Sequence, residues 1–167
     1  MTPDQQPDNG TRSHTPLQCW DLFLESFFLK MDLAEDRAAL LKLAELKNWK
    51  HSFDFENALF RLNNTIIVTD PSILIVFASS NMPAMNGYQP SEVIGKKPSM
   101  FQGAASSAET KIQIREAIHK QIPFEATIAN YRKNKEVYDC LIKGFPVFDK
   151  SKNLVNFIAF ESDLSAN

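Results

Sequence analysis

Cysteine is scarce: 167 residues carry two, Cys19 and Cys140, far apart and in different segments. That leaves no disulfide framework and no thiolate metal site, and it suits two reduced thiols in a cytoplasmic protein. An excess of one charge is also lacking. The formal net charge of −2 gives no overall pull toward nucleic acid or an anionic membrane. The early apolar stretch is interrupted by Asp21, Glu25, Lys30 and Asp32, so it is too polar and too short to span a bilayer. No basic start followed by an apolar run marks a targeting segment. Phosphate loops, nucleophile elbows and metal-spaced clusters are missing, and His14 and His51 have no partner at ligand spacing. An enzyme is therefore not expected, and neither a nucleic acid nor a membrane is an expected partner.

What is present is the composition of a soluble globular chain, 44% hydrophobic and 23% charged. Thirteen phenylalanines point to a core or groove lined with aromatic rings. Residues 1–16 are polar and rich in Pro and Asp, a composition that buries too little surface to offset ordering entropy, and they read as a disordered leader. From residue 17 to 50 the apolar period is helical. Leu17, Trp20, Leu24, Phe27 and Met31 recur at steps of three and four, and Phe23 and Phe28 widen the stripe. A second helix is predicted from Asp32, an N-cap with Glu35 three residues on in capping-box spacing. The pair of amphipathic helices either packs on its own domain or presents the Trp and Phe stripe to a dimer mate or partner.

After a link at 51–63, β-branched runs appear: "TIIVTD" and "SILIVFAS", split by Asp70-Pro71. Residues 81–121 are cut by Pro and Gly into short helical pieces before one longer helix, "SAETKIQIREAIHKQ", with Ile112, Ala117 and Ile118 available for a buried face. Three more strands follow in "FEATIANYRK", "EVYDCLIKGFPVFD" and "LVNFIAFESD". The order predicts an α+β fold: a five-stranded antiparallel sheet with short helices on one face, closing over a pocket.

That order resembles the PAS fold. "FAS", "NGY", "EVIG" and "MFQG" in residues 77–103, then "NYRKNK" and "FIAFESDL", resemble the light-oxygen-voltage (LOV) branch, which binds flavin. The resemblance covers 64–164. It implies a reactive cysteine at a position where Pro98 stands, and proline has no nucleophile. It also implies ligand contacts at Lys97, Ser99, Gln102, Asn130, Asp139 and Glu161. Of these, Gln102 and Asn130 keep the family's residue. Lys97 replaces an asparagine, Ser99 a phosphate-pairing arginine, Asp139 a ring-edge asparagine and Glu161 a glutamine. An ionised carboxylate only accepts hydrogen bonds, and two facing one buried ring carry a desolvation cost unless protonated or paired. Strand alternation sets Asp139 opposite Tyr138 and Cys140, with Asp139 pointing inward.

The expectation from these changes is no cofactor, neither flavin nor haem, the latter because His119 sits among polar neighbours. The expected role is a signalling and protein-interaction module without cysteinyl-flavin photochemistry. It would act as a homodimer or through an unidentified signalling protein. A small-ligand sensor, including flavin held without an adduct, is the alternative.

Overall fold

The computed structural model describes residues 17–165, with side chains from Phe23 onward. The expected leader at 1–16, and the side chains of Leu17 and Trp20, lie outside the described residues. Among the described residues no helix is long and apolar enough to cross a membrane.

The two predicted N-terminal helices are one. Helix α1 runs without interruption over Leu17–Leu46. Asp32 caps nothing; it is an exposed residue inside the helix. The reason is local: no Gly or Pro occurs between Leu17 and Leu46, and the segment is rich in strong helix formers. A capping-box spacing starts a helix only where the preceding backbone leaves helical geometry, and nothing here forces it to. The chain breaks after Leu46, where Asn48 takes a left-handed conformation (φ +53°). Trp49 then makes an isolated antiparallel bridge to Asp149.

The link at 51–63 is not irregular throughout, since Asn57–Arg61 forms a π-helical turn. Strands β1 (Thr65–Thr69) and β2 (Ile75–Ala78) form the first hairpin. Asp70 Oδ1 closes its turn by accepting the N–H groups of Ser72 and Leu74, each at 2.9 Å. Short helices α2 (Met82–Asn86) and α3 (Pro90–Val93) follow, then a 3₁₀ turn at Pro98–Phe101. Helix α4 spans Ala108–Lys120, where Ser107 Oγ accepts from Thr110 N–H as N-cap. Two of the three residues expected on its inner side are there, Ala117 buried and Ile118 half-buried, and the third is not. Ile112 is 52% exposed, whereas Ile114 packs with the core beside β4. Strands β3 (Phe124–Tyr131), β4 (Val137–Phe148) and β5 (Leu154–Asp163) complete an antiparallel sheet of order β2-β1-β5-β4-β3.

The sheet has two covered faces. On the outer face α1 lays Leu33 and Leu40 against Ile66, Val68, Val147 and Ile158, with Trp49 and Phe55 filling the edge. A polar seam ties this layer: Trp49 Nε1 donates to Asn156 Oδ1 (3.0 Å), and Asn156 Nδ2 donates to Thr69 O (2.9 Å). On the inner face Ile67 packs with Ile75, Met82, Val93 and Phe101. Period-2 alternation sends Ile66 and Val68 outward and Ile67 inward, so β1 is buried on both sides.

Candidate functional site

Between the inner face of the sheet, α4 and the 3₁₀ turn lies a cavity of about 340 Å³, within the size range of small-molecule pockets. Its walls are apolar: Ile67, Phe101, Ile118, Phe124 and Ile142 among others. The loop that the sequence singles out forms one rim. Gly95 turns it with a left-handed backbone (φ +78°) that glycine adopts without strain. At its far end Gly103 lies against the ring of Tyr131, so close that a Cβ there would sit 2.4 Å from the ring. Tyr131 OH in turn accepts the Ala105 N–H (2.9 Å). The loop is thus seated on β3 by contact as well as by sequence.

Pro98, Lys97 and Gln102 all line the cavity. Asn130 does too; it is 3% exposed, and its Oδ1 is buried without a hydrogen bond of good geometry. Glu161 completes the polar end at 3% exposure, reached through the β4–β5 pairing that sets it opposite Ile142. Burial pushes the Glu161 carboxyl up to about 7, because a charge there would be stripped of water. Its side-chain partner is the Cys140 thiol, which donates to Oε2 at 3.7 Å.

Asp139 does not join them. It is exposed, while Tyr138 and Cys140 are buried on the inner side. The pairings Asn130↔Tyr138 and Ile128↔Cys140 put those two beside the ligand-facing residues of β3. The expected orientation is therefore reversed. Alternation separated the two sets of β4 residues correctly, and the apolar set Tyr138, Cys140 and Ile142 against Asp139 and Lys143 was the signal for which side faces in. Only one of the two expected carboxylates reaches the pocket, and on the Asp139 side of β4 Lys143 pairs with Glu125 (3.4 Å). Burial first, then the Glu161 carboxyl, push the Cys140 thiol up. It stays protonated and is not a ready nucleophile.

The sequence reading missed two cations. Lys111 and Arg115 on α4 join Lys97 at the cavity wall. Among the described residues none of the three is in an ion pair. A spacing of four along a helix that borders the pocket was the available clue. His119 is exposed on the same helix and does not line the cavity. Outside the cavity lining, Arg132 donates to Asp163 Oδ2 (2.6 Å) and to the Met85 carbonyl while its guanidinium lies over the Tyr138 ring.

Comparison with known proteins agrees with this geometry. The chain is 34% identical over 120 residues to Protein TWIN LOV 1 of Arabidopsis thaliana, a match covering 70% of this chain and 30% of that protein. Two solved structures share the fold at 24% identity and a TM-score of 0.62. One is a light-oxygen-voltage domain whose mechanism was studied with a flavin analogue, covering 69% of this chain and 87% of that one. The other is the dark structure of the blue-light photoreceptor Aureochrome1 LOV, covering 70% and 87%. These relatives overturn the expectation that a cofactor is absent and flavin set aside. That expectation weighed substitutions at single positions, Asp139 among them, and Asp139 does not face the pocket. Residues 63–166 match the family model described as the PAS domain, and the chain belongs to that family.

Proposed function

We propose that this chain is a sensing module of a signalling protein, a LOV-like PAS domain whose cavity takes a flavin-class ligand without forming a cysteinyl adduct. The observation that carries the reading is the composition of the cavity wall. A polar end made of Asn130 and Glu161 faces apolar walls, with Gln102 on the wall and Lys97, Lys111 and Arg115 unpaired beside it.

The residues fit a flavin's two ends. A planar ring with an amide edge needs apolar walls and a donor-acceptor surface. Asn130 and Gln102 supply that surface, and Glu161 in its neutral form both donates and accepts, as an amide does. Asn130 Oδ1, buried without a hydrogen bond of good geometry, has an acceptor to offer a ligand N–H. A phosphorylated tail needs cations, and Lys97, Lys111 and Arg115 provide them, Arg115 with a bidentate fork. Bound flavin would supply blue-light absorption. Pro98 at the position of the family's thiol offers no nucleophile, and Cys140 is fully buried behind the cavity wall with its proton held.

The response leaves through α1, and the module is a sensor rather than a catalyst. Asp36 on that helix accepts from Ser80 N–H (2.6 Å) and Ser80 Oγ (3.1 Å), fastening α1 to the loop between β2 and α2. The same helix covers the outer face of β1 and β5, whose inner residues Ile67 and Glu161 line the cavity.

The test is the absorption spectrum of full-length protein purified from cells, followed by titration of apoprotein with flavin mononucleotide. A blue-absorbing band, or saturable uptake on titration, is the expected result. Asn130→Ala is expected to weaken uptake about tenfold, the loss of roughly one hydrogen bond. Illumination should leave the band without the bleaching of a thiol adduct. A colourless protein that takes up no flavin would overturn the reading of the pocket.

A further inference from the structure

Helix α1 carries two different stripes. Leu33, Asp36 and Leu40 are buried against the domain, at 4%, 8% and 0% exposure. A second set, Leu24, Phe27, Met31, Ala34, Ala38 and Leu41, is exposed along its whole length. At 3.6 residues per turn the two stripes are centred roughly 160° apart around the helix. The domain that holds α1 by one face therefore leaves the other turned away from it.

The exposed set is spaced 3, 4, 3, 4 and 3, the heptad period of a coiled-coil seam. In sequence the same spacing continues back to Trp20 and Leu17, so the repeat spans 17–41. A stretch this long is needed, because short free helices are marginal. Here the C-terminal half is already held helical by the core, which removes much of the nucleation cost.

Two flanking charges say what covers the seam. Lys30 precedes the seam residue Met31, and Glu35 follows the seam residue Ala34. In a parallel, in-register pair of helices such positions, five residues apart, face each other across the interface. Lys30 of one copy then meets Glu35 of the other, twice by symmetry. An antiparallel pair would instead set Lys30 and Arg37 against one another. The remaining cross-pair in the parallel arrangement is Arg37 with Lys42. It is eased because Arg37 is drawn to Glu56 of its own chain at 3.1 Å. Ala34 and Ala38 keep the axes close where the two domains flank the seam.

We propose that a second copy of this chain covers this face, forming a parallel coiled-coil homodimer along Leu24–Leu41. This deepens the reading of α1 as the route of output, since a shift of α1 on either domain would change the register or splay of a shared pair.

The test is light scattering after size exclusion on the full chain at about 100 μM, a concentration at which any dimer of practical affinity is populated. The expected mass is twice 18.9 kDa. Met31→Glu with Ala38→Glu should give a folded monomer with an unchanged far-UV circular dichroism spectrum, since both positions are exposed in the single chain. Lys30→Glu should weaken the dimer at least several-fold, and adding Glu35→Lys should restore it. Ala34→Cys in a Cys19→Ser background should cross-link to its own counterpart on oxidation. A monomeric wild type, or a dimer that survives the double glutamate variant, overturns the seam. A dimer without the Ala34→Cys cross-link overturns the parallel register. The flavin absorbance of each variant is read alongside, so that failure of the pocket reading and failure of the dimer are separate outcomes.

Discussion

Glu161→Gln probes the buried carboxyl through the pH dependence of folding. The Glu161 carboxyl is 3% exposed, and burial raises it from an ordinary 4.5 to about 7. The folded protein therefore holds this proton more tightly than the unfolded chain does. Stability from this group is full below about pH 4.5, falls as pH rises between 4.5 and about 7, and is lost above that. The shift corresponds to about 3 kcal/mol, a large part of the stability of a domain this size. Glutamine has nearly the same shape and carries no charge at any pH, so the variant lacks this slope. The assay is urea unfolding of wild type and variant from pH 4.5 to 8.5, followed by fluorescence of the buried Trp49. The two proteins should be close in stability at the acid end, and the variant should gain about 3 kcal/mol relative to wild type by the alkaline end. Asp36, whose carboxyl is also raised by burial, titrates in both proteins and cancels from the difference. Parallel curves across the whole range would refute the claim that Glu161 is folded into the wall as a neutral acid.

Two further changes test the scaffold. Lys135 sits at the β3–β4 turn with φ +74°, a left-handed conformation that costs a side chain about 1 kcal/mol. Because Lys135 is exposed, Lys135→Gly should raise stability by about that amount in thermal unfolding. Asn156→Leu removes both bonds of the Trp49–Asn156–Thr69 seam and leaves a buried indole N–H and a carbonyl unpaired. It should cost about 2–4 kcal/mol, read as a lower urea midpoint and an altered Trp49 emission.

Strand number and the order of elements were legible in the chain because β-branched runs and turn residues act locally. "LVNFIAFESD" is β5 residue for residue. The rim loop was legible for a similar reason: Gly95 and Gly103 are required by backbone conformation and by close approach, both of which leave a residue-specific mark. The candidate site was half legible. Gln102, Asn130, Glu161, Lys97 and Pro98 line the cavity as the motifs implied. Asp139 and Cys140 exchanged places, since period-2 alternation sorts a strand into two faces without naming which face is inner. The continuity of α1 was hidden by a capping-box spacing, a signal that has meaning only where the backbone actually leaves the helix.

The sequence by itself determined the elements, their order and the chemistry of the rim, since these follow from backbone preference and short-range spacing. Only the tertiary structure decided the rest. Lys111 and Arg115 became neighbours of Lys97 because α4 borders the same cavity as the 3₁₀ turn. The Glu161 carboxyl was pushed up to about 7 because the sheet and helices around it exclude water. One stripe of α1 became core and the other surface, because a helix with two apolar faces is resolved only by where the sheet lies.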